Sequence, residues 1–188
     1  MSSSPHYDRI YIDSNVLIHY FKPRHKPQYS ALSKRFLKNV EEGRFEGIVS
    51  IFSILELIKI IREILVQLED VRDPKEWEKE IRIVIETIFK TNNIKIVEGP
   101  SKECARFDDI RDLLYATVLW DSFELMNKYQ GKILWNGHEF RHEGLYPADT
   151  LHLVLAKKTG CNKIATFDRD FDETRDVVQP IILDRNSW

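Results

Sequence analysis

Apolar residues recur along the chain with two different periods, and those periods predict short strands alternating with amphipathic helices. Short runs rich in β-branched and aromatic residues predict strands at Arg9–Ile12, Gly47–Ser50, Ile94–Val97, Lys163–Thr166 and Pro180–Leu183. Between these runs, apolar residues at i, i+3, i+4 and i+7 predict helices. The predicted helices are Val16–Phe21, Tyr29–Glu42, Ile51–Leu68, Pro74–Thr91, Cys104–Tyr129 and a helix that Pro147 opens and Gly160 closes.

This alternation predicts an α/β fold of three layers, with a central, mostly parallel sheet flanked by helices. The pair Asn136-Gly137 stands between apolar runs and predicts an additional β-hairpin near residues 133–141. In open parallel sheets, functional sites lie beyond the carboxyl ends of the strands, where the strand order reverses. The residues directly after each strand are therefore the ones that carry candidate chemistry.

Composition narrows the class of protein. The 188 residues are 43% apolar and 31% charged, which favours one folded domain over residues 1–188, with residues 1–7 flexible. Two cysteines, Cys104 and Cys161, are too few for a disulfide framework, and we expect a cytoplasmic protein without a signal peptide or membrane span. The net charge of −2 means that any contact with nucleic acid has to be local or mediated by a metal ion.

Two acidic residues follow predicted strands. Asp13 comes directly after Arg9–Ile12, and Asp168 comes two residues after Thr166. Taken alone, Asp13 is explained by helix N-capping and Asp168 by an ordinary turn.

Glu56 stands out because its helix is so apolar. Between Ile48 and Ile61 the only charged residues are Glu56 and Lys59. A carboxylate that is partly buried needs a partner. Either Lys59 provides it as an i, i+3 pair, or a metal ion supplies the missing charge.

Asp149 occupies the third position of the helix that Pro147 opens. The helix dipole favours an acid there, which is sufficient to explain the residue. Its apolar flanks, however, are also compatible with a side chain that points into a cleft.

Together, Asp13, Glu56, Asp149 and Asp168 can converge at one edge of the sheet. A carboxylate set without cysteine or clustered histidine suits Mg²⁺ or Mn²⁺. One or two such ions would relieve the repulsion between the acids and activate water for attack on a phosphodiester.

Four segments that contain these acids resemble, in order, the motifs of the PIN-domain nuclease family, which includes VapC-type toxins. They are YIDSNVLI at residues 11–18, SILEL at 53–57, PADTLHL at 147–153 and ATFDRDF at 165–171. Any single motif is weak, but four in the matching order span most of the chain.

The resemblance implies Mg²⁺- or Mn²⁺-dependent cleavage of RNA, with the metal held by Asp13, Glu56, Asp149 and Asp168 and assisted by Asp170. It places Ser14 and Thr166 as residues that orient the carboxylates by hydrogen bonds. It also implies RNA as substrate and an antitoxin protein as a candidate partner, and a homodimer is a further candidate assembly. The chain is longer than compact family members, with extra material expected at Asp70–Asn93 and Ile133–Tyr146. This extra length argues against the toxin role more than against the nuclease chemistry.

Several other interpretations remain beside this one. The motif HEFRH at residues 138–142 matches a zinc-protease pattern, but that chemistry needs both histidines on one face of a helix, and the Asn136-Gly137 pair favours a hairpin. In an extended strand, residues four apart lie about 13 Å apart, too far to share one zinc. Asp168, Asp170 and Asp172 begin like a calcium loop, yet the glycine and the final glutamate of that loop are missing. Asp13 is also compatible with the nucleophile of a haloacid-dehalogenase-like phosphatase, although Asn15 stands where that pattern has a second aspartate. A PIN-like protein that binds RNA or protein without cutting is the non-enzymatic alternative.

Basic side chains provide candidate RNA contacts, although such residues are more often simply solvated surface charges. They are Lys22, Arg24, His25, Lys26, Lys59, Arg62 and Arg169.

Overall fold

The structure is a computed structural model. It describes residues 8–97 and 145–184 and, between them, residues 121, 122, 124, 125, 128, 133–135 and 140–142. Five of the residues in the predicted helix Cys104–Tyr129 are described, and all five are helical. The remainder of that segment, residues 1–7 and the Asn136-Gly137 turn lie outside the described residues.

The central sheet has five strands, all parallel, in the order β3-β2-β1-β6-β7. Its strands are β1 (Arg9–Ile12), β2 (Glu46–Ser50), β3 (Ile94–Val97), β6 (Lys163–Thr166) and β7 (Gln179–Ile182). A separate antiparallel pair, β4 (Ile133–Trp135) and β5 (Phe140–His142), pairs Trp135 with Phe140, as expected for a hairpin around residues 136–139. The predicted fold class is confirmed, with strand ends displaced by no more than one residue.

Within residues 8–97 and 145–184, five α-helices and one 3₁₀ helix pack around the sheet. They are α1 (Ser14–Phe21), α2 (Pro27–Glu41), α3 (Ile51–Gln67), α4 (Pro74–Lys90), α5 (Pro147–Lys158) and the 3₁₀ helix Arg169–Thr174. Gly43 and Gly160 follow α2 and α5 with φ angles of 76° and 75°. Because this left-handed conformation strains other residues, the two glycines end their helices as the sequence predicts.

The sheet is buried on both faces, and β1 shows how its sequence achieves this. Ile10 and Ile12 belong to a core that α1, α2, α3 and α4 complete. Tyr11, between them, belongs to a second core with Leu153 and Val154 of α5. Successive side chains of a strand point to opposite faces, so this short strand contributes to both cores.

The strand order reverses at β1. From β1 the chain continues to β2 and β3 on one side of the sheet, whereas β6 and β7 lie on the other side. The carboxyl ends of β1 and β6 therefore flank a crevice, and Asp13 and Asp168 follow those two ends. No helix in the part of the chain that the structure describes is long and apolar enough to cross a membrane.

Candidate active site

Asp13 lies at the N-cap position of α1, but its side chain does not cap that helix. The side chain is buried, and its carboxylate accepts hydrogen bonds from Thr166 Oγ1 at 2.6 Å and Ser14 Oγ at 3.3 Å. The N-capping explanation therefore accounts for the position of Asp13 in the chain and not for the direction of its side chain. The Thr166 contact joins the ends of β1 and β6 across the crevice.

Glu56, on α3, is paired with a histidine and not with Lys59. Its Oε2 lies 2.7 Å from His152 Nε2, whereas Lys59 pairs with Glu63 at 4.0 Å. Burial alone would raise the pKa of Glu56, but the hydrogen bond and charge of His152, the Ser14 hydroxyl and the charge of Lys59 outweigh burial and lower it. Glu56 is therefore held ionised at the crevice.

His152, on α5, is the cation of this group. Its Nε2 also lies 3.5 Å from Asp13 Oδ1, and its Nδ1 is 3.0 Å from the Tyr11 hydroxyl. Burial would lower the pKa of His152, but the nearby groups of Tyr11, Asp13 and Glu56 outweigh burial and raise it well above its ordinary value. A protonated imidazole between two carboxylates follows from this geometry.

Beneath His152, a buried hydroxyl network continues to the second strand. The Tyr11 hydroxyl lies 2.6 Å from Ser50 Oγ and 3.2 Å from Ser53 Oγ. Ser50 caps α3 by accepting a hydrogen bond from the backbone of Ser53. The network fixes the histidine ring relative to β1 and to the start of the helix that carries Glu56.

Asp149 lies one helical turn before His152 on α5. Its Oδ2 accepts a hydrogen bond from the backbone N–H of Tyr146 at 2.8 Å, the contact expected of an acid at the third position of a helix. Burial, together with the negative charges of Asp168 and Asp13, raises its pKa to about 6, although the hydrogen bond from Tyr146 and the charge of His152 oppose that rise. Asp149 therefore lies within the electrostatic reach of both other aspartates.

Asp168 begins the 3₁₀ helix and accepts a hydrogen bond from the backbone of Asp170 at 2.9 Å. Its own backbone N–H donates to Thr166 Oγ1, which also receives a hydrogen bond from Asn15 Nδ2. Asn15 in turn accepts a hydrogen bond from the backbone of Phe167. Both ends of the Asn15 amide thus tie β1 to β6, which explains an asparagine where the phosphatase pattern has an aspartate.

Asp170 is exposed on the 3₁₀ helix, and its backbone N–H donates to Asp168. The basic candidates separate into two kinds. Lys22 is buried and pairs with Glu69 and Glu80, and Arg62 lies over the Trp77 ring. Arg62 is exposed, as are the remaining candidates Arg24, His25, Lys26, Lys59 and Arg169.

A hard divalent cation fits the donors that meet at the crevice. Asp13, Glu56 and His152 have donor atoms within 4.8 Å of one another. Both ring nitrogens of His152 are already hydrogen-bonded and its raised pKa keeps it protonated, so it serves as a counter-ion and leaves coordination to the carboxylates. One imidazolium does not balance Asp13, Glu56, Asp149 and Asp168, and burial, followed by the charges of Asp168 and Asp13, raises the pKa of Asp149.

Sequence reasoning missed His152 as a functional residue. The signal was present, because His152 follows Asp149 by three residues and so lies on the same face of α5. Its apolar neighbours suggested a core position, and the side chain is indeed only 2% exposed. In the structure the His152 side chain is buried in the core and also contacts the carboxylates of the candidate site.

Comparison with known proteins places this geometry in a family. The PIN domain model matches residues 10–177, which include Asp13, Glu56, Asp149, His152 and Asp168. No curated protein sequence matches the chain.

Two solved structures are similar in fold. One is the toxin VapC20 of Mycobacterium tuberculosis, described as a Sarcin-Ricin loop cleaving toxin, with 10% identity and a TM-score of 0.52 over 88% of this chain and 94% of that chain. The other is VapBC2 from Rickettsia felis bound to a DNA fragment from its promoter, with 12% identity and a TM-score of 0.49 over 91% of this chain and 96% of that chain.

Proposed function

Since the chain belongs to the PIN domain family, we propose that it is an endoribonuclease that hydrolyses RNA phosphodiester bonds with Mg²⁺ or Mn²⁺. The observation that carries this proposal is the convergence of buried and half-buried carboxylates at the strand-order reversal. There burial, together with the negative charges of Asp168 and Asp13, raises the pKa of Asp149 to about 6. A site that holds this much unbalanced negative charge is suited to bind a cation.

Asp13, Asp149 and Asp168, together with Glu56, are the residues that would hold the metal. A bound divalent ion supplies charge neutralisation, activation of water and stabilisation of the leaving oxygen. Carboxylate oxygens are the donors that Mg²⁺ and Mn²⁺ prefer, and the free cysteine of the described chain, Cys161, is buried in the second core away from this group.

The chain itself orients these carboxylates through hydrogen bonds. Thr166 donates to one oxygen of Asp13, and Ser14 donates to the other. His152 donates to Glu56 and stands beside Asp13, so these contacts orient two of the four carboxylates. Asp149 is held by the backbone of Tyr146 and leaves its second oxygen for a ligand.

A cleavage assay with matched variants tests the proposal. Asp13→Asn and Asp149→Asn each remove one charge without changing side-chain size, and we expect at least about a hundredfold loss of Mg²⁺-dependent RNA cleavage. Asp172→Asn is the control, because Asp172 is an acid of the neighbouring 3₁₀ helix that pairs with Arg175. Undiminished cleavage by both site variants would exclude this mechanism, and a parallel assay with DNA of the same sequence tests the choice of RNA.

The binding-only alternative predicts a different response to metal. An inactive scaffold has no use for a cation and should show little stabilisation by Mg²⁺ or Mn²⁺. A rise in melting temperature that Asp172→Asn retains and Asp149→Asn loses would favour the enzyme.

A toxin role with an antitoxin partner is a second proposal. It is supported by the family and by the shared fold with VapC20, a protein described as a toxin. Induced expression of the wild-type chain should arrest growth of the host cell, and Asp13→Asn should not. A small antitoxin encoded beside the gene should relieve the arrest and copurify with the chain. Growth unaffected by the active wild-type enzyme would leave an RNA-processing role in place of toxicity.

A further inference from the structure

Four aromatic rings form a cluster that the proposed cleavage site does not use. Tyr29 of α2 stacks on Phe167 with ring centroids 4.6 Å apart, and His19 of α1 contacts the two rings at 5.1 and 5.2 Å. His25 stacks on His19 at 6.1 Å with an interplanar angle of 16°. We call His19, His25, Tyr29 and Phe167 the aromatic shelf.

The shelf adjoins the carboxylates through the backbone. Phe167 stands between Thr166, which donates to Asp13, and Asp168, and consecutive Cα atoms are about 3.8 Å apart. The backbone N–H of Phe167 also donates to Asn15, two residues after Asp13. A ligand that reaches the acids at the carboxyl end of β6 therefore lies beside the shelf.

The shelf is open to solvent on the side of the α1–α2 loop. His25 is exposed, and Tyr29 and Phe167 are half-buried, so the cluster is not sealed within the core. His19 is buried, yet its Nδ1 has no hydrogen-bond partner among the described residues. A buried polar atom without a partner costs free energy unless a ligand or water satisfies it.

Positive charge borders the rings. Lys26 Nζ lies 5.6 Å from the centre of the Tyr29 ring, and Arg24 is exposed on the same loop. Within the described part of the chain, neither side chain forms an ion pair with a carboxylate. Aromatic faces beside unpaired cations are the combination that binds unpaired bases together with their phosphates.

We propose that the aromatic shelf binds an unpaired nucleobase of single-stranded RNA next to the phosphate that is cleaved. The base stacks on the exposed His25 ring beside Tyr29 and Phe167, while Lys26 and Arg24 contact the neighbouring phosphates. The identity of the ligand as RNA rests on the proposed function. The shelf makes the enzyme selective for unpaired segments, because a base inside a duplex has no free face to stack.

Binding without cleavage tests the shelf independently of the nuclease. The probes are a fluorescent short oligoadenylate, an abasic strand of the same length and a duplex, measured by anisotropy with the full chain in EDTA at low ionic strength. The wild type should prefer the base-containing strand to both other probes. His25→Ala and Tyr29→Leu should each weaken binding of the base-containing strand about tenfold. Their affinity for the abasic strand should stay within about twofold of the wild-type value.

Three further variants separate stacking from folding and from charge. Tyr29→Phe keeps the ring and should retain wild-type binding. Phe89→Leu removes an aromatic ring that is 63% exposed on α4, outside the shelf, and should change nothing. Lys26→Gln should weaken the base-containing and abasic strands alike, because the lysine contacts phosphate.

A directly stacked base gives a spectroscopic signature as well. Replacing one adenine by 2-aminopurine should give fluorescence quenching on the wild type and recovery on Tyr29→Leu. The proposal is contradicted if the shelf variants lose equal affinity for the abasic and base-containing strands. It is also contradicted if the wild type shows no preference for the base-containing strand. If the aromatic shelf binds the probes as expected but the protein never cleaves RNA, the nuclease proposal is wrong and the proposed base binding is retained.

Discussion

The His152 Nε2 atom lies 2.7 Å from Glu56 Oε2 and 3.5 Å from Asp13 Oδ1, so one buried imidazolium serves two carboxylates from different elements. Glu56 comes from α3 and Asp13 from the end of β1, while His152 comes from α5 on the opposite face of the sheet. The contacts of His152 with Glu56 and Asp13 therefore join the two helical layers at the point where the sheet reverses its strand order. Its dependence on charge leads to the first prediction.

His152→Gln should destabilise the chain by roughly 2–4 kcal/mol, because it removes the cation and leaves Asp13 and Glu56 buried or half-buried without it. Urea unfolding at pH 7 measures the loss. Tyr11→Phe is the comparison, since it removes the hydroxyl that contacts His152, Ser50 and Ser53 but keeps the histidine and both carboxylates, and it should cost about 1–2 kcal/mol. Equal losses in the two variants would contradict the charge pair.

Asp149→Asn should stabilise the metal-free protein at neutral pH. The folded pKa of Asp149 is raised to about 6 from an ordinary value of 3.8, so the ionised carboxylate is disfavoured in the fold above pH 6. Each pKa unit corresponds to about 1.4 kcal/mol, and partial exposure reduces the gain to on the order of 1 kcal/mol. The gain should vanish below about pH 4, where both folded and unfolded wild type are protonated. If Asp149→Asn is instead less stable than the wild type at pH 7, the negative charge of Asp149 is already compensated in the folded protein.

Metal binding should weaken as the pH falls through about 6. Asp149 has to release its proton before it can coordinate a cation, so protons and Mg²⁺ compete for the same carboxylate. Isothermal titration with Mg²⁺ or Mn²⁺ should show affinity falling by up to about tenfold per pH unit below 6, with proton release on binding. Asp149→Asn should bind weakly at every pH, whereas Asp172→Asn should follow the wild type. A pH-independent affinity would remove Asp149 from the set of metal ligands.

His19 should make the protein less stable in mild acid. Burial, followed by the charges of Lys26 and His25, lowers its folded pKa from 6.5 to about 4. Between those two values the unfolded chain binds a proton that the folded chain does not, so stability falls as the pH drops from 6.5 toward 4. The slope from this residue is at most about 1.4 kcal/mol per pH unit.

Urea midpoints at pH 8, 6 and 5 measure this dependence. His19→Phe preserves a ring in the shelf and should flatten the curve below about pH 6.5 relative to the wild type. The two proteins should have similar pH dependence near pH 8, where His19 is neutral in both states. An unchanged slope in the variant would place the acid sensitivity elsewhere in the chain.

Local sequence patterns were sufficient to predict the helices and strands and their order. Local patterns placed β1 and β6 at Arg9–Ile12 and Lys163–Thr166 without error, because short β-branched runs and left-handed glycines act over a few residues. The same patterns placed Asp13 and Asp168 after strands, and parallel topology brings the carboxyl ends of strands to one edge. The positions of the acids were therefore predictable from the chain alone.

Only the tertiary structure decided which partner each carboxylate has. Lys59 is three residues from Glu56, yet α3 directs Lys59 to Glu63 while α5 brings His152 to Glu56 from 96 residues away. The aromatic shelf depends in the same way on α1, α2 and the end of β6 meeting in space. Charge pairing and ring stacking act over a few ångströms, and distances between remote segments are fixed by packing rather than by the local pattern of residues.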